Sequence, residues 1–176
     1  MNWNSNYYLY TTINNFYNRA MIPNICNDYP NVAPLEAYVQ KTRWKLFIYD
    51  DKKLKEVSKD GFTIYKDGQY NIFISKLENK SKRNRFTLAH EVGHIVLNHH
   101  KLLKNNLIKF NGKTKDIFEM QANVFAENIL MPVHLVNKFR YEDIEDLSRI
   151  FEVSKSMAEV RMAHLERDKY YIEKFK

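Results

Sequence analysis

The amino-acid sequence predicts an α+β protein, in which a small, mainly antiparallel sheet packs on one helix and a helical C-terminal part follows. Two β-prone runs flank Asp67-Gly68, a dipeptide typical of tight hairpins. From Ser81 the apolar residues change to a helical period. Beyond Pro132 two further helical segments follow. The β-prone runs follow one another between residues 44 and 75 and the helical segments follow from Ser81, without regular alternation of the two, which indicates this fold class.

The first half of the chain carries the predicted strands. Residues 1–30 are rich in Asn and Tyr and contain one short predicted helix, Ile13–Met21. Pro34 occupies an early position of a second predicted helix. Three β-prone runs predict the sheet, and one of its edges is expected to accept an extended peptide. These runs are Trp44–Tyr49, Gly61–Lys66 and Gln69–Ser75.

The helix that begins at Ser81 is apolar on two sides, so we expect it to be buried. Its remaining face carries His90, Glu91 and His94. Polar groups inside a protein need partners, which makes this face a candidate functional site. The two apolar stripes consist of Phe86, Ala89, Gly93 and Val96, and of Leu88, Val92 and Ile95.

Three more helices are predicted in the second half of the chain. A basic connection over residues 101–115 leads to a helix over Asp116–Leu130, which Pro132 ends. Two short helices, Glu142–Phe151 and Ser154–Arg167, are joined by a tight turn. They give the outline of a helix-turn-helix.

These elements suggest three parts along the chain. Residues 1–33 form an N-terminal extension to which the sequence assigns no role. Residues 34–137 form the core with the sheet and the buried helix, and residues 138–176 form the helical C-terminal part.

Composition restricts the compartment and the partners. Cys26 is the single cysteine and cannot form an internal disulfide, which suits a reducing compartment. No apolar stretch approaches the ~18 residues that span a bilayer. The N-terminus lacks the basic start and the apolar run of a signal peptide. We therefore expect a cytoplasmic protein without membrane contact.

The net charge of +7 is concentrated around the helix that begins at Ser81. Residues 76–115 carry 10 basic and 2 acidic side chains, whereas residues 116–131 carry 3 acidic and no basic ones. A basic patch of this kind attracts acidic protein segments or nucleic acid. The alternative is a solvated face that only aids solubility.

The sequence His90-Glu91-Val92-Gly93-His94 has the form H-E-x-x-H on a predicted helix. Residues four apart in a helix are rotated by only about 40°, so both imidazoles point the same way and can ligate one tetrahedral zinc ion. Glu91 lies beside the pair and can accept a proton from a water molecule that attacks a carbonyl group. The motif predicts metal-assisted hydrolysis, with His90 and His94 as ligands and Glu91 as general base.

A catalytic zinc site needs a third protein ligand and one open position. His100 completes a spacing found in metzincins, but those enzymes require Gly where this chain has Leu97. On a continued helix His100 would also be rotated by about 240° from the second histidine. Glu119 is the other candidate, and Asn123, one turn further on the same face, can hydrogen-bond a ligand histidine. Glu127 is a less favoured ligand.

In these motifs the sequence resembles the ImmA/IrrE metallopeptidases, which have a gluzincin-like site. The combination of four stretches is far more specific than H-E-x-x-H alone, and it falls within residues 34–165. The stretches are residues 85–94 (RFTLAHEVGH), 119–126 (EMQANVFA), 130–132 (LMP) and 147–154 (LSRIFEVS).

The resemblance implies a zincin-like core with zinc on His90, His94 and Glu119, and with Glu91 as general base. ImmA-like members of the family are intracellular proteases that cleave repressors of mobile elements and prophages. IrrE-like members act in stress response by cleaving a repressor-type regulator. The resemblance therefore implies a zinc endopeptidase whose partner is a specific repressor-type protein.

Two other function classes remain open at this point. A DNA-binding regulator would use the helix-turn-helix-like segment, with Lys155 and Arg161 as contacts and with zinc only structural. A purely structural zinc site usually has four ligands, often cysteines, and Cys26 is far from the motif. The donor that would stabilise a developing oxyanion is also unassigned. The candidates for that donor are His134, His99 and Tyr141.

Overall fold

The computed structural model describes residues 3–22, 32–76, 81–102, 113–139 and 142–175. In them the predicted α+β class is confirmed, with a three-stranded sheet among mostly helical elements. The chain divides into two compact units, residues 35–123 and residues 1–34 together with 124–176. The elements are α1 Trp3–Phe16, a π-helical segment Tyr17–Met21, α2 Leu35–Lys41, β1 Lys45–Tyr49, α3 Lys52–Val57, β2 Gly61–Lys66, β3 Gln69–Ser75, α4 Ser81–Val96, α5 His99–Leu102, α6 Lys113–Leu130, α7 Val133–Val136, α8 Ile144–Ile150 and α9 Lys155–Lys174.

The predicted hairpin of unit 35–123 is confirmed. Strands β2 and β3 pair antiparallel, with Lys66 opposite Gln69. The turn residues Asp67 and Gly68 both have positive φ, 52° and 76°. This backbone is the one that Asp-Gly favours in a two-residue hairpin loop.

Strand β1 gives the sheet a feature that the sequence did not predict. The strand order is β1-β3-β2, and β1 runs parallel to β3, with Lys45 opposite Asn71. A parallel neighbour needs a crossover, and the short helix α3 lies in that connection. Asp51 caps α3, because its side chain accepts a hydrogen bond from Leu54 N.

Helix α4 packs on β2 and β3. Leu88, Ala89, Val92 and Ile95 are all buried, which agrees with the predicted burial of this helix. Because both apolar faces are covered, the face with His90 and Glu91 is held among protein groups.

The end of α4 lies at a left-handed residue. Asn98 has φ 57°, and its N–H donates to Ile95 O. Asn adopts this conformation more readily than most residues, and such a residue commonly ends a helix. The chain therefore turns after Asn98, and α5 begins at His99.

The other unit is helical. The predicted helix over Ile13–Met21 is the C-terminal end of a longer one, because α1 continues into the π-helical segment. Helix α9 has 20 residues and extends beyond the predicted end at Arg167. It packs on α1, α7 and α8.

A buried polar network connects α9 to α1 and to residues 124–131. Arg161 and Asp168 are both 0% exposed and form an ion pair. Tyr10 Oη donates to Asp168 at 2.6 Å, and Asn128 Nδ2 donates to Asp168 at 2.8 Å. Arg161 also donates to Met131 O and to Asn128 Oδ1. Each buried charge thus has several partners, as burial requires.

Among the described residues, no helix is long and apolar enough to cross a membrane. The predicted basic connection falls largely on residues 103–112, which lie outside the described part of the chain. The three-part division at residues 33/34 and 137/138 stays a prediction, since compact packing does not by itself show which segments fold independently.

Candidate metal centre

His90 and His94 both lie on α4, and their imidazoles point to the same place beside this helix. Their Nε2 atoms are 3.0 Å apart. Glu119, on α6, places Oε2 3.2 Å from His90 Nε2 and Oε1 3.6 Å from His94 Nε2. Among the described residues, these three side chains form a group whose ligand atoms all lie within 4.8 Å of one another. All three belong to unit 35–123.

A hydrogen bond fixes which nitrogen of His90 faces the group. His90 Nδ1 lies 2.8 Å from Asn123 Oδ1. An amide oxygen can only accept, so Nδ1 carries the proton and a neutral His90 presents the lone pair of Nε2. That lone pair and the Glu119 carboxylate meet beside His94 Nε2, an electron-rich arrangement that a cation satisfies.

The distances in the group fit a divalent metal ion. A tetrahedral ion with ligands at about 2.0–2.1 Å holds them about 3.3 Å apart, and the three separations here are 3.0, 3.2 and 3.6 Å. Burial lowers the pKa of His90, but the hydrogen bond with Glu119 and the charges of Glu91 and Glu119 outweigh it and hold this pKa above its ordinary value. The group therefore favours positive charge at its centre.

Glu91 lies beside the group without belonging to it. Its side chain is buried, and Thr63 Oγ1 donates a hydrogen bond to Glu91 Oε2 at 2.7 Å. Burial raises the pKa of the Glu91 carboxyl, and the charge of His90 and the bond from Thr63 offset this only in part. A raised pKa favours uptake of a proton, which suits this carboxyl to act as a general base next to a candidate metal site.

Strand β2 approaches α4 closely at Gly61. A Cβ atom at this position would lie 2.6 Å from Thr87 Cγ2 and 2.8 Å from the carbonyl oxygen of Phe73, with Glu91 Cγ at 3.8 Å. Glycine removes these clashes, because it has no Cβ. The close approach holds the strand that carries Thr63 against the helix that carries Glu91.

His99 contacts the far side of His94. Its Nδ1 lies 2.9 Å from His94 Nδ1, and its Nε2 lies 3.0 Å from Gln121 Oε1. Burial, with the charges of His90 and His99, lowers the pKa of His94 to about 2. Burial also lowers the pKa of His99 to about 4. Both rings are therefore neutral at pH 7 in the absence of metal.

The other sequence candidates lie elsewhere or cannot be described. His100 Nδ1 is 2.8 Å from Tyr70 Oη, and His100 does not belong to the group of three. Glu127 pairs with His164 at 2.9 Å. The ring of His134 packs edge-on against Tyr17. Tyr141 lies outside the described residues.

Sequence reasoning missed four residues around Glu91 and His94. Thr63 is 28 residues from Glu91 and gave no local signal. In the sequence Gly61 is the first residue of a β-prone run, and Gln121 between Glu119 and Asn123 carries no signal of its own. The sequence offers His99 only as a candidate oxyanion donor. Asn98 was the available signal, since Asn after a helical run predicts the turn that redirects His99.

Comparison of the amino-acid sequence with known protein families identifies the family of this chain. The model of the Peptidase_M78 family, described as the IrrE N-terminal-like domain, matches residues 46–163, which are 118 of the 176 residues. The chain belongs to this family. The IrrE N-terminal-like match contains the three side chains of the candidate metal centre and also β2 with Thr63.

One curated relative is similar to this IrrE-like chain. It is the radiation response metalloprotease IrrE of Deinococcus radiodurans, 31% identical over 96 residues. The match covers 53% of this chain and 27% of the relative, so the chain spans about a quarter of that protein's length. The family and the candidate centre together indicate a domain of the metallopeptidase type, with three side chains placed to hold a metal ion.

Proposed function

We propose that this chain is a zinc-dependent endopeptidase in which His90, His94 and Glu119 bind the metal and Glu91 is the general base. The convergence of two imidazoles and a carboxylate within 4.8 Å carries this proposal. Three protein ligands leave one position open, which distinguishes a catalytic zinc site from a structural one. The two-His-one-Glu donor set is one that catalytic zinc uses.

Each residue has a role that its contacts support. A bound zinc ion supplies Lewis acidity, which polarises a carbonyl group and acidifies a water molecule. Asn123 holds the ring of His90 through Nδ1. Glu91 accepts the proton of the attacking water and later delivers it to the leaving amine. Thr63 fixes one oxygen of Glu91, Oε2, and leaves Oε1 for the proton transfer.

The edge of β2 is the proposed docking place for the substrate backbone. Within the described residues β2 pairs with β3 on one side, which makes it an edge strand. An extended peptide that adds to such an edge forms main-chain hydrogen bonds along its length. Thr63 lies on this strand and contacts Glu91, so a peptide paired there would run beside the proposed base.

The proposed substrate is a specific repressor-type protein of the cytoplasm, such as a regulator of a mobile element, a prophage or a stress response. Both the family and the name of the Deinococcus relative support proteolysis. Peptide hydrolysis makes a protein the natural partner, and the repressor class rests on the family resemblance.

The alternative of DNA recognition by α8 and α9 receives no support from the two basic residues that the sequence offered for it. Arg161, one of the two basic residues considered for DNA contact, is 0% exposed and pairs with Asp168. Lys155, the other one, lies 3.0 Å from Glu145. A reading helix must instead present basic and amide groups to the groove.

The test compares the wild type with Glu91→Gln. The probes are the repressor-type proteins encoded in the same genome, each incubated with the zinc-loaded chain and followed by gel electrophoresis and mass spectrometry. We expect Glu91→Gln to retain one zinc per chain and to lose cleavage, because glutamine cannot take up the proton. Cleavage by this variant at the wild-type rate would refute Glu91 as the base.

A further inference from the structure

We propose that His99 and Gln121 are positioning residues for the metal centre, which hold His94 in the tautomer that ligates metal through Nε2. This inference rests on the proposed function, because it assigns a purpose to the metal ligand His94. It adds two residues that neither the motif nor the group of three contains.

Hydrogen bonds connect His94 to His99 and His99 to Gln121. The direction of each bond can be assigned by starting at Gln121. Gln121 Oε1 can only accept, so His99 Nε2, at 3.0 Å, carries a proton. A neutral His99 then has its lone pair on Nδ1, which faces His94 Nδ1 at 2.9 Å. His94 Nδ1 must therefore be the donor. The remaining nitrogen of His94, Nε2, presents its lone pair toward Glu119 and His90.

The ring of His99 is held in place by packing. It is 1% exposed and stacks on Phe118, with ring centroids 4.3 Å apart and an interplanar angle of 17°. The left-handed residue Asn98 ends α4 directly before it and turns the chain. Gln121 is also buried and lies on α6, two residues after Glu119. The chain of bonds thus joins the helix of His94 to the helix of Glu119.

The nature of the acceptor matters for the metal. Ligand histidines commonly donate to a carboxylate, a backbone carbonyl or water. Here the acceptor is a neutral imidazole, which can also donate through the same atom if its proton moves. Gln121 opposes that movement, because its Oε1 would then face a lone pair on Nε2 of His99. Without Gln121, His99 could donate to His94 and place the proton of His94 on the nitrogen that faces the metal.

The first experiment measures zinc affinity of the full chain by competition with a chromophoric chelator. The variant His99→Phe keeps a ring on Phe118 but removes both nitrogens, and Gln121→Leu removes the acceptor. We expect each to weaken zinc binding about 10- to 100-fold, the range found for partners of ligand histidines. Gln121→Glu, which still accepts from His99, should bind zinc at least as tightly as the wild type.

The matched control is His100→Phe. His100 is also buried and adjacent in sequence, but it bonds Tyr70. We expect its zinc affinity to stay within about twofold of the wild type, since it makes no contact with His94 that the proposal requires. Equal losses in His99→Phe and His100→Phe would indicate a general packing effect and would overturn the proposal.

The second experiment reads the tautomer directly from the histidine ¹⁵N shifts of the metal-free protein. We expect His94 to carry its proton on Nδ1 in the wild type and in Gln121→Glu, and partly on Nε2 in Gln121→Leu. A wild-type His94 protonated on Nε2 overturns the proposal, as does wild-type zinc affinity in His99→Phe. A chain that binds zinc in this pattern but cleaves no protein supports the positioning role and refutes only the proposed function.

Discussion

Thr63 donates a hydrogen bond to the proposed base Glu91, and an isosteric substitution tests what this bond contributes. Thr63→Val removes the hydroxyl that donates to Glu91 Oε2 at 2.7 Å. A hydrogen bond to a charged group contributes about 1.5–3 kcal/mol. We expect kcat to fall roughly ten- to hundredfold, because Glu91 loses the contact that orients its other oxygen. Rates of cleavage at saturating substrate measure the effect.

Thr63→Ser is the control for that change. Serine keeps the hydroxyl, so its kcat should remain near the wild-type value, and all three proteins should bind one zinc ion. A Thr63→Val variant as active as the wild type would show that Glu91 does not need this donor.

Gly61 shows, at the same scale, why a residue can matter without any chemistry of its own. Its missing Cβ lets β2 lie against Thr87 and Phe73, next to Glu91. The sequence contains a glycine at the start of a β-prone run, which is ordinary. Only the position of α4 against that strand turns it into a steric requirement.

At the scale of single elements, the position where a helix ends determines which side chains reach the candidate metal centre. The helical period located α4 and the common face of His90 and His94. The end of α4 depends on Asn98, whose φ of 57° turns the chain away from the helical path. For that reason His99 contacts His94, whereas His100 contacts Tyr70. An argument from a continued helix could not assign either contact.

Helix α9 supplies a prediction about acid stability. Burial raises the pKa of Asp168, but the charges of Arg161 and Arg167, with hydrogen bonds from Arg167 and Tyr10, outweigh it and hold this pKa below its ordinary value. Asp168 therefore stabilises the fold above its unfolded pKa of about 3.9, and this contribution is lost as the pH falls through the lower folded pKa.

Asp168→Asn tests this contribution. Arg161 would keep a buried charge without its counter-ion, so we expect the free energy of unfolding at pH 7 to fall by about 3–5 kcal/mol. Urea unfolding at several pH values should show the difference from the wild type shrinking below about pH 4. The double variant Arg161→Met, Asp168→Asn should recover part of the loss, since it removes both charges. A constant difference down to pH 2 would contradict the role of this carboxylate.

At the scale of the whole molecule, metal binding should raise the free energy of unfolding. A ligand that binds only the folded chain stabilises it by about 2.7 kcal/mol at a free concentration of 100 Kd. We expect zinc to raise the Tm of the wild type and a chelator to reverse the rise. Glu119→Ala should remove most of this zinc-dependent shift, because it deletes one of the three proposed ligands. Differential scanning calorimetry with and without zinc measures it.

Glu127→Ala is the matched control, since Glu127 was the rival carboxylate and pairs with His164. Its baseline Tm should fall, while its zinc-dependent shift should equal that of the wild type. A normal zinc shift in Glu119→Ala, with the shift lost in Glu127→Ala, would move the third ligand to Glu127.

Most of the fold could be predicted because its signals are local. The period of two on both sides of Asp67-Gly68 gave the hairpin, and the change of period at Ser81 gave α4. The parallel pairing of β1 with β3 was not predictable in this way. The direction of β1 depends on the crossover through α3. The residues of β1 do not indicate which strand of the hairpin it pairs with.

The sequence by itself determined that His90, Glu91 and His94 share one helix, because a spacing of four fixes the relative direction of side chains through backbone geometry alone. Tertiary structure alone decided which groups surround them. Glu119 and Thr63 come from α6 and β2, distant along the chain from α4, and their separations of about 3 Å from His90 and Glu91 depend on how these three elements pack. The periodicity of apolar residues within one element contains no information about distances between side chains of different elements.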